Sequence, residues 1–280
     1  MPEPSIEQAL GWCRQQLSDS DSPAVDSQVL LGHVLGKSRA YLMTWPERPL
    51  SGGQWLQFKQ LVSERVAGRP VAHLIGLQEF WSLPLQVNDS TLIPRPDTEA
   101  LVEAALSLQL PGAARVLDLG TGTGAIALAL KSERPAWQVT AVDKEAAAVA
   151  LARSNAQRLN LSVEVLQSDW FEAIDPTEKF DLIITNPPYI AADDSHLQQG
   201  DVRYEPLSAL VAASHGMADI DHIICTATDY LLPDGWLLLE QGWQQANSVV
   251  ERLQQKGYKN INRWTDYASV ERVTGAQRAC

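Results

Sequence analysis

Four apolar runs, RVLDLG (115–120), WQVTAVD (137–143), SVEVLQ (162–167) and FDLIITN (180–186), alternate with stretches of helical spacing such as AIALALKSE and EAAAVALARSNAQRL. An apolar run flanked by amphipathic helices must bury both of its faces, and strands that alternate with helices join as a parallel sheet through right-handed crossovers. This alternation constrains the chain more than any other feature, and it predicts an α/β domain from residue 97 to the end. Pro233-Asp234-Gly235 turns the chain into a further strand, WLLLEQ; a helix is expected at about 243–256 and two late strands at 259–265 and 270–275.

The first 72 residues read differently. Ser5 with Gln8 forms a capping box ahead of Ile6, Leu10, Cys13 and Leu17, which share one helical face. Ser22-Pro23 opens a second helix that stops at Gly36, and Ser51 with Gln54 opens a third that ends before Gly68 and Pro70. Residues 1–72 are therefore expected as a small helical bundle. Residues 73–96, with short alternating stretches on either side of Asn88-Asp89-Ser90, are expected as a β-hairpin connector, and 97–280 as the α/β domain.

Composition narrows the function. The 22 Lys and Arg against 34 Asp and Glu give a net charge of −12, so the overall field repels polyphosphate, and neither direct nucleic-acid binding nor a basic membrane-surface role is expected. Cys13, Cys225 and Cys280 are too scattered for a disulfide framework or a zinc knuckle, and no uncharged apolar stretch is long enough to span a bilayer. A soluble, cytoplasmic, monomeric protein without a metal is the expectation.

The segment Gly120-Thr121-Gly122-Thr123-Gly124 sits between a predicted strand and a predicted helix. Glycines there permit a tight turn and let a ligand approach the backbone, while the helix N-terminus offers free N–H groups. Asp143, 19 residues past Gly124 at the end of the next strand, is placed to accept hydrogen bonds from a ribose diol. The loop alone leaves two cofactors open, because Gly120, Gly122 and Ala125 also satisfy the dinucleotide pattern. Ser168-Asp169-Trp170 follows the third strand, where Asp169 could bond an adenine and Trp170 could cover it.

The fourth strand ends in Asn186-Pro187-Pro188-Tyr189. Asn186 and Pro187 each precede a proline and are pushed to extended backbone, and the two rings fix φ at 187 and 188, so the carbonyls are rigid. The Asn186 side-chain oxygen and the Pro187 carbonyl can each accept one hydrogen of an NH2 group, with Tyr189 against the planar group that carries it. Conjugation makes such a nitrogen a poor nucleophile, and the peptide rotation barrier of about 18–20 kcal/mol gauges it for an amide. Two hydrogen bonds of about 4–6 kcal/mol each in a dry site favour pyramidal nitrogen, and a near-attack contact of roughly 3–3.5 Å to an electrophilic methyl supplies the rest. No strong general base is required. Together these features point to an S-adenosylmethionine-dependent N-methyltransferase.

The chain also resembles a known family. EFWSLPLQV, TLIPRPDTE (91–99), LDLGTGTGAIALAL, LQSDWF, NPPYI, HLQQGDVRYEPLSALVAA and ERVT (271–274) are together similar to the bacterial release factor glutamine methyltransferases. The resemblance implies a helical N-terminal domain for substrate recognition, a hairpin, and a seven-stranded, Rossmann-like class I methyltransferase domain whose last strand is antiparallel. It implies N5-methylation of the glutamine in the Gly-Gly-Gln motif of peptide chain release factors, leaving S-adenosylhomocysteine. Gly120 to Gly124 would line the methionine part of the cofactor, Asp143 the ribose and Trp170 the adenine. Asn186 would touch cofactor and substrate, with Pro187, Pro188 and Tyr189 completing the glutamine pocket. The polar ending GAQRAC suggests a short final edge strand.

Alternatives remain at this point: the same chemistry on a ribosomal-protein glutamine or a nucleic-acid adenine, or a nicotinamide-dependent oxidoreductase. Asp97 or Thr98 reads as a helix cap, Arg95 either as a brace for the connector or as part of the cleft, and 190–215 either as a lid or as surface packing. His196, His215 and His222 share no metal-ligand spacing.

Overall fold

The structure, a computed structural model, describes residues 3–198 and 200–279. Cys280 and the side chain of His196 lie outside what is described. The chain divides into two compact units: one runs to Leu77 and takes in Gln198–Tyr204, the other holds Gln78–Leu197 and Glu205 to the C-terminus.

Among the described residues the first unit holds five α-helices, α1 (Ile6–Gln16), α2 (Pro23–Leu35), α3 (Arg39–Thr44), α4 (Gly52–Val66) and α5 (Val71–Ile75), two more than the cap signals indicate. Both expected capping boxes are formed, at Ser5 with Gln8 and at Ser51 with Gln54. α3 and α5 are too short to show a periodic stripe, which is why the sequence hides them. Ile6, Leu30, Leu31, Leu50 and Phe58 build the core, and burial pushes the enclosed Cys13 thiol up to about 12. The segment 198–204 joins this unit through polar contacts. Arg65 donates to Asp26 at 2.9 Å and to Asp201 at 2.8 Å, and the Tyr204 hydroxyl donates to the Ala67 carbonyl at 2.7 Å. Gly68, at φ +98°, sits where a side chain would overlap the Arg203 guanidinium.

The hairpin pairs β1 (Leu77–Phe80) with β2 (Leu83–Gln86). Its turn is Trp81-Ser82, both at positive φ, and not Asn88-Asp89-Ser90. Neither residue type favours the left-handed region, so the sequence carries no cue; Glu99 accepts from the Trp81 N–H and Glu133 from its indole.

The second unit is a three-layer α/β fold, as expected. Along the chain come α6 (Glu99–Ser107), β3 (Arg115–Leu119), α7 (Ala125–Glu133), β4 (Gln138–Asp143), α8 (Ala146–Leu159), β5 (Glu164–Gln167) and β6 (Phe180–Thr185). A single turn α9 (Ala213–Gly216), α10 (Ala218–Ala227), β7 (Leu231–Glu240), α11 (Ala246–Gln255), β8 (Lys259–Thr265) and β9 (Glu271–Gln277) follow. The seven strands lie in the order β5-β4-β3-β6-β7-β9-β8, parallel from β5 to β7, with β9 antiparallel to both neighbours. The last strand is therefore not a short edge: it spans seven residues inside the sheet and β8 takes the edge. Gly275 makes this insertion possible, since a side chain there would overlap Leu238 and crowd Trp264.

Apolar clusters fill both faces of the sheet, one with α6, α7 and α8 and the other with α10 and α11. The order reverses at β3 and β6, so their carboxyl ends open a crevice at the topological switch point. Fully buried Asn155 on α8 bonds the Gln86 N–H and carbonyl and the Thr123 carbonyl, fixing β2 to the loop after β3. No described helix is long and apolar enough to cross a membrane.

Candidate active site

Gly120, Gly122 and Gly124 adopt φ of +69°, +55° and +85°, a region costly to residues with a Cβ. Loop hydrogen bonds hold the turn: the Thr121 N–H donates to the Val142 carbonyl at 2.9 Å, and the Gly124 N–H to the Thr121 carbonyl at 2.8 Å. Thr121 Oγ1 donates to Asp118 Oδ2 at 2.6 Å beneath the loop, where complete burial pushes the Asp118 carboxyl up to about 7.

Asp143 ends β4 and faces this loop. Its Oδ2 accepts from the Gly122 N–H at 2.9 Å and its Oδ1 from the Glu145 N–H at 3.0 Å. Burial raises its pKa, and the two backbone donors oppose the rise. A carboxylate oxygen keeps a second lone pair after one such bond, so Asp143 is both loop brace and available acceptor.

Trp170 stands at φ +48°, so a specific support is needed to hold it there. Its carbonyl accepts from Ser168 Oγ at 2.9 Å. The ring lies over Gly120, where an added Cβ would stand 3.4 Å from it. Gly120, Thr121, Gly122, Thr123, Asp143, Asp169, Trp170, Asn186 and Pro188 line one cleft at this edge of the sheet.

Gly124, Pro187 and Tyr189 stand back from that wall. Gly124 begins α7 where a Cβ would press on Leu128 at 3.1 Å, and Pro187 is buried. The Tyr189 hydroxyl donates to Glu240 Oε1 at 3.2 Å, and its carbonyl accepts from Gln245 Nε2 at 3.0 Å. Asn186 follows β6 directly, and its Nδ2 donates to Thr98 Oγ1 at 3.1 Å, which leaves Oδ1 as the acceptor of that amide.

This bond corrects the expectation of a helix cap. Thr98 has helical backbone angles, neither it nor Asp97 makes a side-chain cap bond, and Asp97 lies 3.4 Å from Arg272 instead. Arg95 takes both of its readings: it lines the cleft and pairs with the buried Glu205 at 2.6 Å, whose other oxygen accepts from the Ile93 N–H at 3.0 Å. Between 190 and 215 the described residues form short 3-10 turns at Ser195–Gln198, Gly200–Tyr204 and Leu207–Ala209, Ile190 bridges to Val211, and Ser208 and Ala209 join the wall. Among the described residues no three His, Cys, Asp or Glu side chains form a metal-binding group.

Comparison with known proteins decides the family. Residues 8–76 match the PrmC N-terminal domain and 97–201 the methyltransferase small domain. The chain is 57% identical to the release factor glutamine methyltransferase of Shewanella oneidensis, over 96% of this chain and 94% of that protein. Identity is 54% to that of Salmonella typhimurium (92% and 94% covered) and 51% to that of Escherichia coli (94% and 96%). The chain belongs to the release factor glutamine methyltransferase family.

Distant solved structures share the fold. A methyltransferase from Pyrococcus furiosus superposes with TM-score 0.55 at 19% identity, covering 71% of this chain and 90% of its own. The 16S rRNA N2 G1207 methyltransferase of T. thermophilus gives 0.52 at 20%, covering 72% and 49%. Membership in a methyltransferase family removes the oxidoreductase alternative that the glycine loop had left open. Among cleft residues, Thr98 and Ile126 escape a sequence reading, the first because Thr before a helix reads as a cap and the second because an apolar residue in α7 reads as core.

Proposed function

We propose that this chain transfers the methyl group of S-adenosylmethionine to the side-chain amide nitrogen of the glutamine in the Gly-Gly-Gln motif of peptide chain release factors. The observation that carries the reading is Asn186 Oδ1, an acceptor on the rim of the cleft that the glycine loop and Asp143 form, in a chain related over nearly its full length to release factor glutamine methyltransferases. The cleft suits this cofactor on its own chemistry: glycines leave room for the aminoacyl end, Asp143 retains acceptor capacity for a ribose diol, and Trp170 offers a fixed aromatic face for a base.

Bound there, S-adenosylmethionine supplies an electrophilic sulfonium methyl. Asn186 Oδ1 and the Pro187 carbonyl each accept one hydrogen of the glutamine NH2 and stabilise positive charge as it builds on nitrogen. Pro188 walls the pocket, and Tyr189, anchored on Glu240, backs it. These acceptors would hold the nitrogen toward the methyl of a bound cofactor, which would supply most of the acceleration, and its proton would pass to solvent water, so no side chain has to act as a strong base.

The test supplies labelled S-adenosylmethionine with a release factor, with its Gln→Ala variant at Gly-Gly-Gln, and with duplex DNA. Label is expected in the wild-type release factor alone. Label in DNA, or equal label in the Ala variant, would overturn the reading.

A further inference from the structure

The proline rings of Asn186-Pro187-Pro188-Tyr189 fix φ at 187 and 188 and keep Asn186 and Pro187 extended, but they leave one end of the motif unrestrained. Neither Pro188 nor Tyr189 precedes a proline, so ψ at 188 and both torsions at 189 are set by contacts rather than by rings. Those contacts come from three places in the same unit. The Ile190 N–H donates to the Leu210 carbonyl at 3.0 Å, and the Ile190 carbonyl accepts from the Ala212 N–H at 3.1 Å. The Tyr189 hydroxyl is held by Glu240 at the end of β7, and the Tyr189 carbonyl accepts from Gln245 Nε2 at 3.0 Å.

Gln245 reaches that carbonyl from a turn that fixes its own amide. After β7 the Gln245 N–H donates to the Gly242 carbonyl at 2.9 Å, closing the turn ahead of α11, and the Gly242 N–H donates to Gln245 Oε1 at 2.9 Å. A backbone N–H only donates and a backbone carbonyl only accepts, so the amide faces one way, Oε1 to Gly242 and Nε2 to Tyr189. The other side of this junction is as closely specified. Ser214, His215 and Gly216 have φ of +54°, +55° and +81°, left-handed in succession, a region that Ser and His seldom adopt. A Cβ on Gly216 would overlap the Tyr189 carbonyl oxygen and stand 2.9 Å from Gln245 Nε2. An uncommon backbone at 214 and 215 thus lays a residue without a side chain against this one hydrogen bond, and strain of that kind concentrates at functional sites.

We propose that Gln245 is a positioning residue for methyl transfer: it pins the Tyr189 carbonyl and so fixes the end of the motif that the proline rings leave free. This rests on the reading of Asn186 to Tyr189 as the glutamine pocket. Without the clamp the peptide plane after Tyr189 can turn, and Tyr189 shifts relative to Pro188, which walls the cleft. The bound amide would then tilt away from the methyl, while the glycine loop and Asp143 at the cofactor end keep their own hydrogen bonds.

Two variants separate this clamp from a role in the turn alone. Gln245→Ala removes both side-chain bonds. Gln245→Glu keeps an oxygen for the Gly242 N–H but sets a carboxylate oxygen, which only accepts, against the Tyr189 carbonyl. A negative charge at the start of α11 suits the helix dipole, so a residue that merely closed the turn would tolerate Gln245→Glu. Each variant is measured for kcat and KM with an intact release factor and labelled S-adenosylmethionine, for cofactor affinity by calorimetry, and for thermal stability. Both should lower kcat about tenfold or more, the scale of a misplaced reacting group, with KM and cofactor Kd within about threefold of wild type and with Gln245→Glu melting as wild type does. Wild-type kcat in either variant, or a loss of cofactor affinity as large as the loss of kcat, would overturn the clamp. If Gln245→Ala does not fold, Gln245→Glu decides alone: a lower kcat at an unchanged melting temperature supports the clamp, and wild-type kcat overturns it. Absence of label in the release factor with the wild-type enzyme would instead remove the reading of the pocket, whereas label there beside an unaffected Gln245→Glu removes the clamp alone.

Discussion

The two ends of the cleft are specified in opposite ways. At the cofactor end, five consecutive residues and one aspartate a strand later contain nearly all the information: glycines take the positive φ values, and Asp143 braces the loop through the Gly122 N–H. At the amide end, the Asn186 side chain is held by Thr98 before α6, 88 residues away and brought to it only by the finished fold. Local encoding gives a loop that forms wherever its strand and helix form. Distributed encoding gives an orientation that exists only in the complete fold.

The largest effect should come from the distributed end. Asn186→Ala is expected to lower kcat about a hundred- to a thousandfold, the scale seen when one transition-state hydrogen bond is removed, with cofactor affinity changed by no more than a few fold; equal losses in the two measurements would erase the distinction between the ends. Asp143→Ala should do the reverse, weakening cofactor binding about ten- to a hundredfold from the loss of charged hydrogen bonds while kcat at saturating cofactor stays near wild type. Calorimetry and initial rates separate the two.

Gly120→Ala probes whether the loop is as local as it looks. Its φ of +69° and a Cβ 3.4 Å from the Trp170 ring predict a loss of about 1–2 kcal/mol in chemical denaturation, together with weaker cofactor binding as the ring shifts. Asp118→Asn should give the smallest effect, visible as a pH trend. The Asp118 carboxyl rises from 3.8 to about 7 on folding, so its contribution to stability is full below the unfolded value and is lost as pH rises through the folded one. The asparagine variant lacks that loss, so its melting temperature should gain on wild type from pH 5 to pH 8; a constant difference would mean that Asp118 is not the titrating group.

The same contrast explains what the sequence discloses. Strand and helix alternation, both capping boxes, the glycine loop and the rigid Asn-Pro-Pro-Tyr exit are patterns over short spans, and the fold class follows from them, as do the loop, acidic and Asn-Pro residues of the cleft wall. Features set by tertiary context are hidden. The Trp81-Ser82 turn is held by Glu99, β9 enters the sheet beside β7 because Gly275 lets it approach, and Thr98 bonds across the cleft although its position before α6 suggests a cap. In each case a partner distant in sequence outweighs a local preference.

The placement of Gln198–Tyr204 with the helices bears on how such proteins can be recombined. A graft that exchanged only residues 1–77 with a relative would leave Arg65 facing a foreign partner in place of Asp201, and Gly68 facing a foreign residue in place of Arg203. The helical unit is inherited as two separated pieces of chain, and chimaeras that transplant both should be better folded than those that transplant the first alone.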